Sequence, residues 1–495
     1  MQDRHQSVPV AGRYRMVSSK KVIYNTSMTT NTSVRVRIAP SPTGEDIHIG
    51  NLYTALLNYV FAKKNKGTFI VRVEDTDRER LVVGSEQKIL STLRAYGLNY
   101  DEGPDTEGEF GPYRQSDRLG IYKQYAQKLV ASGHAYYCFC TKERLDALRA
   151  EKQKKGEIAK YDKHCLTQVT NAAERIANGE DYVIRLDVPG NKQITFTDVI
   201  RGKITFNSND IDDQVLLKSD GFPTYHLAVV VDDHLMKISH VIRAEDWIPS
   251  TPKHILLFEA FGWDLPIFVH VPLLRNPDRS KLSKRKNPVW AGWYLEQGYL
   301  TEAVLNFLAL LGWSHPQEKE IFSLEEFTKL FSLEDIHAVG PIFDITKLTW
   351  MNQQYIQNMP DQKLLDQLLA FDPGLKKVDR GILTEIIPLV KTRMNTLLEF
   401  GQLTKHFFTE PEIKAETEQE KEIVAFLQTE FSKLSQWNKD AIFSVFKKAM
   451  ERYSIRMGVL YKLLTGNEKG LPLPESFEIL GKNTVVQRLK TIYGN

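Results

Sequence analysis

The first regular hydrophobic pattern along the chain predicts a strand–helix–strand unit. Residues 34–38 alternate between apolar and charged side chains, the period of a half-buried strand. Pro40 and Pro42 end that strand, and from His48 onward apolar residues recur at helical spacing. A second apolar run covers 69–73. This order is typical of a βαβ unit, in which a helix joins two parallel strands.

The pattern that follows predicts an α/β domain with a β-rich insertion. Helices are predicted over 84–96 and 251–261, and residues 182–217 are rich in short strands. We interpret the apolar runs at 225–231, 237–242 and 267–274 as further strands of the first sheet. Beyond about residue 295 the spacing is helical, and from 361 onward it predicts the helices 361–370, 381–400, 421–434, 439–451, 455–464 and 484–492.

Composition narrows the class of protein. A chain of 495 residues has room for about three domains. The net charge of +3 means that a nucleic-acid-binding surface must be a local patch. No apolar run reaches the roughly 18 residues that cross a bilayer, so no membrane association is expected. Three cysteines cannot form a disulfide framework, which favours a reducing, cytoplasmic location.

Residues 1–33 carry five Lys/Arg against one Asp and show no regular pattern. A disordered tail or a translation start at Met28 explains them best, and a leader for import into an organelle is the alternative.

His48 and Gly50 lie at the predicted start of the first helix. Backbone N–H groups and the positive end of the helix dipole at such a position suit a triphosphate. Gly50 has no Cβ and lets a ligand approach the backbone closely. An isolated H-x-G is more often a half-buried histidine at a helix start, so the interpretation depends on a second motif.

The second motif is the basic run 278–286, which contains Lys281, Ser283, Lys284 and Arg285. Such a cluster alone is more often a solvated loop. Here it follows an apolar strand, and ligand-binding loops lie at the carboxyl ends of parallel strands. Cations at that place would neutralise charge on a phosphate leaving group.

All three cysteines fall within one short stretch, which predicts a zinc site. Cys138 and Cys140 are one residue apart, and Cys165 follows a polar helical segment. Tyr161 and His164 are the candidates for a fourth ligand. Reduced cysteines without a metal are the alternative.

The two motifs resemble the signatures of a known family. APSPTG at 39–44 with HIGN at 48–51 is similar to the first signature of class I aminoacyl-tRNA synthetases, and KLSKR at 281–285 resembles the second. The wider sequence, including GTFIVRVEDTDRER and HVIRAEDW, resembles bacterial-type glutamyl-tRNA synthetases from about residue 34 to the end. Two departures are a loop before His48 that is one residue longer than usual and Asn51 in place of the second histidine.

The resemblance implies a Rossmann-like α/β catalytic domain, an inserted α+β subdomain and an all-helical anticodon-binding region. The expected segments are 1–33 (tail or leader), 34–136 (catalytic, first half), 137–214 (acceptor-binding insertion with the zinc element), 215–275 (catalytic, second half), 276–372 (stem contact) and 373–495 (anticodon binding).

The resemblance also implies an activity. The chain would activate L-glutamate with ATP and Mg²⁺ and transfer the glutamyl group to the 3′ end of tRNA(Glu), by alignment and charge stabilisation without a protein nucleophile. The implied catalytic residues are His48, Gly50, Asn51, Lys281, Ser283, Lys284 and Arg285, of which His48, Gly50 and Lys284 bind ATP. The implied glutamate-binding residues are Arg37, Ala39, Ser41, Glu74, Tyr225 and Arg243.

The proposed role of Arg243 makes physical sense. Charge-assisted bonds from a buried arginine to the substrate's side-chain carboxylate contribute roughly 1.5–3 kcal/mol. Glutamine would leave that cation unpaired, so the site should reject it. A buried ion pair between Arg243 and Glu74 is the plain structural alternative.

Three other functions stay open. One is an enzyme that also charges tRNA(Gln). Another is a small-molecule carboxylate ligase of the same fold, which would not need the long helical extension. The third is a silent RNA-binding paralogue, which would be expected to lose His48 or Lys284, and both are present. A monomer is expected for the glutamate-activating enzyme.

Overall fold

The computed structural model describes residues 15–17, 33–283, 288–410, 413 and 415–494. Most of the predicted tail, and Lys284 and Arg285, lie outside the described residues. Two compact units are present, one formed by residues up to 292 with 305–344, the other by 293–304 with the residues from 345 onward. Among the described helices, none is long and apolar enough to span a bilayer.

The strands are β1 (Arg15–Val17), β2 (Arg35–Ile38), β3 (Thr68–Val71), β4 (Ala135–Cys138), β5 (Val183–Leu186), β6 (Gln193–Asp198), β7 (Gly202–Asn207), β8 (Val215–Leu217), β9 (His240–Ala244) and β10 (Ile267–Val271). The helices that lie wholly or mostly in the first unit are α1 (Ile49–Lys64), α2 (Ser85–Ala95), α3 (Leu119–Ala131), α4 (Lys142–Lys154), α5 (His164–Gln168), α6 (Ala172–Ala177), α7 (Tyr225–Leu235), α8 (Thr251–Phe261), α10 (Thr301–Gly312) and α11 (Leu324–Leu330). The others are α9 (Ala291–Glu296), α12 (Ile345–Asn358), α13 (Asp361–Phe371), α14 (Arg380–Lys391), α15 (Glu399–Phe408), α16 (Glu418–Lys433), α17 (Lys439–Tyr453), α18 (Met457–Thr465), α19 (Leu473–Leu480) and α20 (Lys482–Gly494).

Parallel strands form the centre of the first unit. The predicted βαβ unit is confirmed, because β2 and β3 pair in parallel and α1 connects them. Ser239 N–H donates to the Arg35 carbonyl at 3.0 Å, which places β2 beside β9. β9 pairs in parallel with β10, and β10 pairs in parallel with β6. Their carboxyl ends therefore lie at one edge, where α/β proteins bind ligands.

The β-rich segment is also confirmed. β4, β5 and β8 form an antiparallel sheet, and β6 and β7 pair as an antiparallel hairpin. β1, which the sequence pattern did not predict, pairs with β7.

One predicted strand is wrong. Residues 225–231, interpreted as a strand, belong to helix α7. Leu227 to Val231 are all buried, so every face of this helix turn is apolar. A short apolar run of that kind does not distinguish a buried helix from a buried strand by its period.

The second unit is helical, as the sequence pattern predicts. One of its apolar clusters combines α13–α15 with residues of α10 and α12, and the other is built from α16–α20. The single helix predicted over 381–400 is divided into α14 and α15. Between them, Asn395 bonds through its backbone N–H and its side chain to Glu399. Helix α19 is an addition to the prediction.

Candidate active site

The first segment of the site is the N-terminus of α1, which His48 caps. Its Nδ1 atom accepts a hydrogen bond from the Gly50 backbone N–H at 3.0 Å. Because Nδ1 accepts, the imidazole proton lies on Nε2. A Cβ on residue 50 would lie 3.2 Å from Nδ1, so glycine leaves the cap undistorted. Asn51, the next residue, is exposed.

Backbone pairing joins this helix start to the segment after the basic motif. Ile49 N–H donates to the Val289 carbonyl at 2.7 Å. His48 and Trp290 form an antiparallel bridge, and their rings meet edge to face with centroids 6.4 Å apart. The first motif, at 48–51, is therefore hydrogen-bonded to the residues that follow the second motif, at 289–290.

Asp46 is a buried carboxylate at the same junction that the sequence reasoning missed. Its Oδ2 accepts bonds from Gly292 N–H at 2.9 Å and from the Thr92 hydroxyl at 3.0 Å, and its Oδ1 accepts from Ile47 N–H at 2.7 Å. Burial raises the pKa of Asp46, and these hydrogen bonds act in the opposite direction. A Cβ on residue 292 would overlap Oδ2. Asp46 lies in the loop before His48 that the sequence comparison with the family signature marks as one residue longer than usual.

A cleft of about 290 Å³ opens beside the start of α1. Its lining includes His48, Gly50 and Asn51 from the first motif and Lys281 and Leu282 from the second. Both motifs, far apart in the chain, thus face one space large enough for part of a nucleotide.

Lys281 lies at the rim of this cleft. Its Nζ is 2.8 Å from Asp246 Oδ2, and the lysine side chain is 64% exposed. An exposed pair of this kind is weak and breaks readily when a phosphate competes for the cation. Ser283 is the last described residue of the motif on this side and is exposed.

The residues assigned to glutamate binding begin at the end of β2. Arg37 is buried, and its Nε donates to Asp233 Oδ1 at 3.0 Å. Glu74 lies 3.2 Å from Arg72, and burial raises the pKa of this carboxyl against the effect of the Arg72 charge. Ala39 is half-buried and Ser41 exposed, both in the loop after β2.

Arg243 at the end of β9 has a different environment. The side chain is 6% exposed. Its Nη1 donates to the Tyr225 hydroxyl at 3.0 Å, and its Nη2 donates to the Thr251 hydroxyl at 2.9 Å. Burial raises the pKa of Tyr225, and the charges of Arg243 and Arg37 act against that rise. Tyr225 therefore lies close enough to Arg243 and Arg37 for both charges to act on it, as a glutamate site shared by the three residues requires.

The plain alternative, an ion pair between Arg243 and Glu74, is wrong. Within the described part of the chain, the hydrogen-bond partners of Arg243 are neutral groups, and Glu74 pairs with Arg72.

The three cysteines converge as predicted. All three Sγ atoms lie within 4.8 Å of one another, and Cys140 Sγ is 3.4 Å from Cys165 Sγ. The Tyr161 hydroxyl is 3.1 Å from Cys140 Sγ, and His164 is exposed. Burial raises the pKa of the Cys138 thiol, but hydrogen bonds led by that of Tyr161 outweigh it and lower the pKa overall. The donor set suits zinc, with Tyr161 rather than His164 as the oxygen or nitrogen donor nearest the thiols.

Comparison with known proteins identifies the family. Residues 33–350 match the description "tRNA synthetases class I (E and Q), catalytic domain", and residues 358–493 match "Anticodon binding domain". The glutamate–tRNA ligase of Clostridioides difficile is 43% identical over 94% of this chain and 99% of its own length. The chain belongs to the glutamate–tRNA ligase family. The glutamate–tRNA ligase of Acinetobacter baylyi is 44% identical over 92% of this chain and 93% of its own length.

Solved structures of the family agree with the fold. The crystal structure of a glutamate tRNA ligase from Elizabethkingia meningosepticum, in complex with its amino acid, has a TM-score of 0.81 and 36% identity, covering 94% of this chain and 100% of that chain. The Elizabethkingia anophelis enzyme has a TM-score of 0.80 at the same identity. The expected architecture, a class I catalytic domain followed by a helical anticodon-binding domain, is therefore confirmed.

Proposed function

We propose that this chain is a glutamate–tRNA ligase. A carboxylate oxygen of L-glutamate attacks the α-phosphate of ATP, and the bond to pyrophosphate breaks to give glutamyl-adenylate. A terminal ribose hydroxyl of tRNA(Glu) then attacks the activated carbonyl, loses its proton and releases AMP. Both steps need alignment and charge stabilisation rather than a protein nucleophile.

One observation supports glutamate as the amino acid. Arg243 is a buried cation whose partners in the described residues are all neutral. A buried charge without a counter-charge is costly, so the site favours a ligand that brings a carboxylate. The glutamate side chain supplies that charge, whereas the amide of glutamine does not.

The nucleotide would lie in the cleft between the two motifs. His48 can donate through Nε2, and Gly50 leaves the helix start open to a phosphate. Lys281, with Lys284 and Arg285 from the same motif, would neutralise the phosphates, and Mg²⁺ would accompany ATP. Ser283 and Asn51 would complete the contacts. Arg37, Ala39, Ser41, Glu74 and Tyr225 would orient the amino acid beside Arg243.

A zinc ion would have a structural role. Cys138, Cys140 and Cys165 would hold it with the Tyr161 oxygen, and a closed site of four protein ligands stabilises the fold around it. We further propose that the chain is a monomer and, because the three thiols suit a reducing compartment, that it acts in the cytoplasm.

The deciding experiment charges purified tRNA(Glu) and tRNA(Gln) in parallel with labelled glutamate and glutamine. We expect glutamate on tRNA(Glu), with no transfer of glutamine. Glutamate on both tRNAs would show a non-discriminating enzyme. Preferential transfer of glutamine would refute the role of Arg243. Product formed without tRNA would favour a small-molecule ligase, an alternative against which the family comparison and the helical extension weigh.

A further inference from the structure

Two buried histidines contact the guanidinium of Arg243, one at Nε and the other at Nη1, the nitrogen that also donates to the Tyr225 hydroxyl. His270 Nε2 lies 3.1 Å from Arg243 Nε, and His254 Nδ1 lies 3.3 Å from Arg243 Nη1. We propose that His270, fixed by Asp198, and His254 are positioning residues that orient Arg243 for glutamate without neutralising its charge. This inference rests on the proposed function.

The tautomer of His270 follows from its other contact. Asp198 Oδ2 lies 2.7 Å from His270 Nδ1 and 3.0 Å from the His270 backbone nitrogen. Because the carboxylate accepts, Nδ1 carries the proton, and Nε2 is left as an acceptor for Arg243. Asp198 is itself held, since its Oδ1 accepts from Ile200 N–H at 3.0 Å and Arg201 N–H at 2.9 Å. Asp198 and His270 are both fully buried, on the neighbouring strands β6 and β10.

His254 is oriented in the same manner. Its Nδ1 faces the Arg243 N–H group and must accept, so its proton lies on Nε2. That proton is donated to His226 Nδ1, 3.1 Å away. Two imidazoles, supported from behind by Asp198 and His226, therefore each present a lone pair to the guanidinium. An acceptor of this kind fixes direction, because hydrogen bonds weaken steeply with angle.

The imidazoles stay neutral at physiological pH. Burial, and then the nearby charge of Arg243, hold the pKa of His254 well below its usual range. Burial lowers the pKa of His270 to about 4 despite the opposing effect of Asp198, with the Arg243 charge acting in the same direction as burial. Arg243 thus gains oriented acceptors without gaining a negative charge.

Other buried arginines of the same unit show the contrast. Arg37 lies 3.0 Å from Asp233, Arg72 lies 2.7 Å from Asp233, and Arg118 lies 2.7 Å from Asp232. Carboxylates of the protein itself neutralise those three cations. A carboxylate in the place of either imidazole would neutralise Arg243 too, and the substrate's carboxylate would then meet an ion pair rather than a cation.

The test uses two substitutions that each keep one half of the His270 ring chemistry. His270→Asn can retain the donor to Asp198 but has no acceptor at the Nε2 position, whereas His270→Gln can place its carbonyl oxygen there. The matched control is His240→Asn, on the neighbouring strand β9, where the ring contacts Ser239 and Phe61 instead of Arg243. The assay is tRNA charging, with KM measured separately for glutamate and ATP.

We expect His270→Asn to raise KM for glutamate at least tenfold with KM for ATP within twofold of wild type. His270→Gln should recover most of that loss, and His240→Asn should leave both constants unchanged. A glutamate KM unchanged in His270→Asn would overturn the proposal. So would an equal rise in both KM values, because a merely structural role weakens every substrate alike.

A second measurement needs no folded variant. In ¹⁵N-histidine-labelled wild-type protein at pH 7, the imidazole shifts should show His270 as the Nδ1–H tautomer and His254 as the Nε2–H tautomer. An imidazolium at either position, or the opposite tautomer, would overturn the proposal. Wild-type protein that charges no tRNA with glutamate would instead contradict the proposed function, and the tautomers would still test the positioning.

Discussion

Asp46 offers the sharpest test of how the two signature segments are held together. It is buried, and its carboxylate accepts from Gly292 N–H, Ile47 N–H and the Thr92 hydroxyl at 2.7–3.0 Å. Asp46→Ala removes all three acceptors at once. The three donors are themselves buried, so water does not readily replace the lost partner.

The magnitude follows from those three contacts. A buried donor left unsatisfied costs about 1–3 kcal/mol, so the free energy of unfolding should fall by roughly 3 kcal/mol or more. Thr92→Val is the milder change, because it removes one donor and leaves two contacts of Asp46 in place. We expect it to lower the free energy of unfolding by about 1 kcal/mol. Glu45→Ala is the control, because this neighbouring carboxylate is exposed and should change stability by less than about 0.5 kcal/mol.

Activity should fall together with stability. Asp46 holds residue 292 of the segment that leaves the basic motif, and a misplacement of about 1 Å near reacting groups costs up to roughly 100-fold in rate. Urea unfolding measures the stability, and glutamate charging at saturating substrates measures kcat. The anchoring role would be refuted if Asp46→Ala had a free energy of unfolding within about 0.5 kcal/mol of wild type and a kcat within about twofold of it.

Three further predictions concern other parts of the molecule. Lys281→Ala should lower kcat at least tenfold and leave KM for glutamate unchanged. Asp246→Asn, which removes the ion-pair partner of this lysine, should not lower kcat. Steady-state tRNA charging measures both variants, and an equal loss of kcat in the two would contradict a phosphate role for Lys281. Burial lowers the pKa of His270 to about 4 and that of His226 to about 3, against about 6.5 when unfolded. As the pH falls, the unfolded chain therefore takes up protons before the folded protein does. The free energy of unfolding should have its highest value above about pH 6.5 and decrease as the pH drops towards 4, by about 2 kcal/mol at pH 5 for His270 alone. A constant free energy of unfolding between pH 7 and 5 in urea titrations would contradict this. Cys165→Ser should abolish binding of one equivalent of zinc, measured by elemental analysis, and lower the melting temperature; metal-free wild-type protein of equal stability would contradict the zinc proposal.

The first half of the site could be predicted from local pattern. Three of its elements are local: the strand before Pro40, the helix that begins after His48 and the strand at 68–71. Each can be predicted because apolar side chains recur along the sequence every two residues in a strand and every 3.6 residues in a helix. The motif at 281–285 and the cysteines at 138, 140 and 165 are likewise readable, because each depends on residue types at short spacing.

What the sequence by itself determined is therefore most of the helices and strands, the two nucleotide motifs and the family. Only the tertiary structure decided that residues 225–231 form a helix, that Asp46 ties the two motifs together and that Arg243 is surrounded by neutral acceptors. Asp198, His254 and His270 come from three different elements, and no local period relates them to β9. The physical reason is that the charge state of a buried group depends on which distant side chains desolvate and contact it, and chain packing alone sets those neighbours.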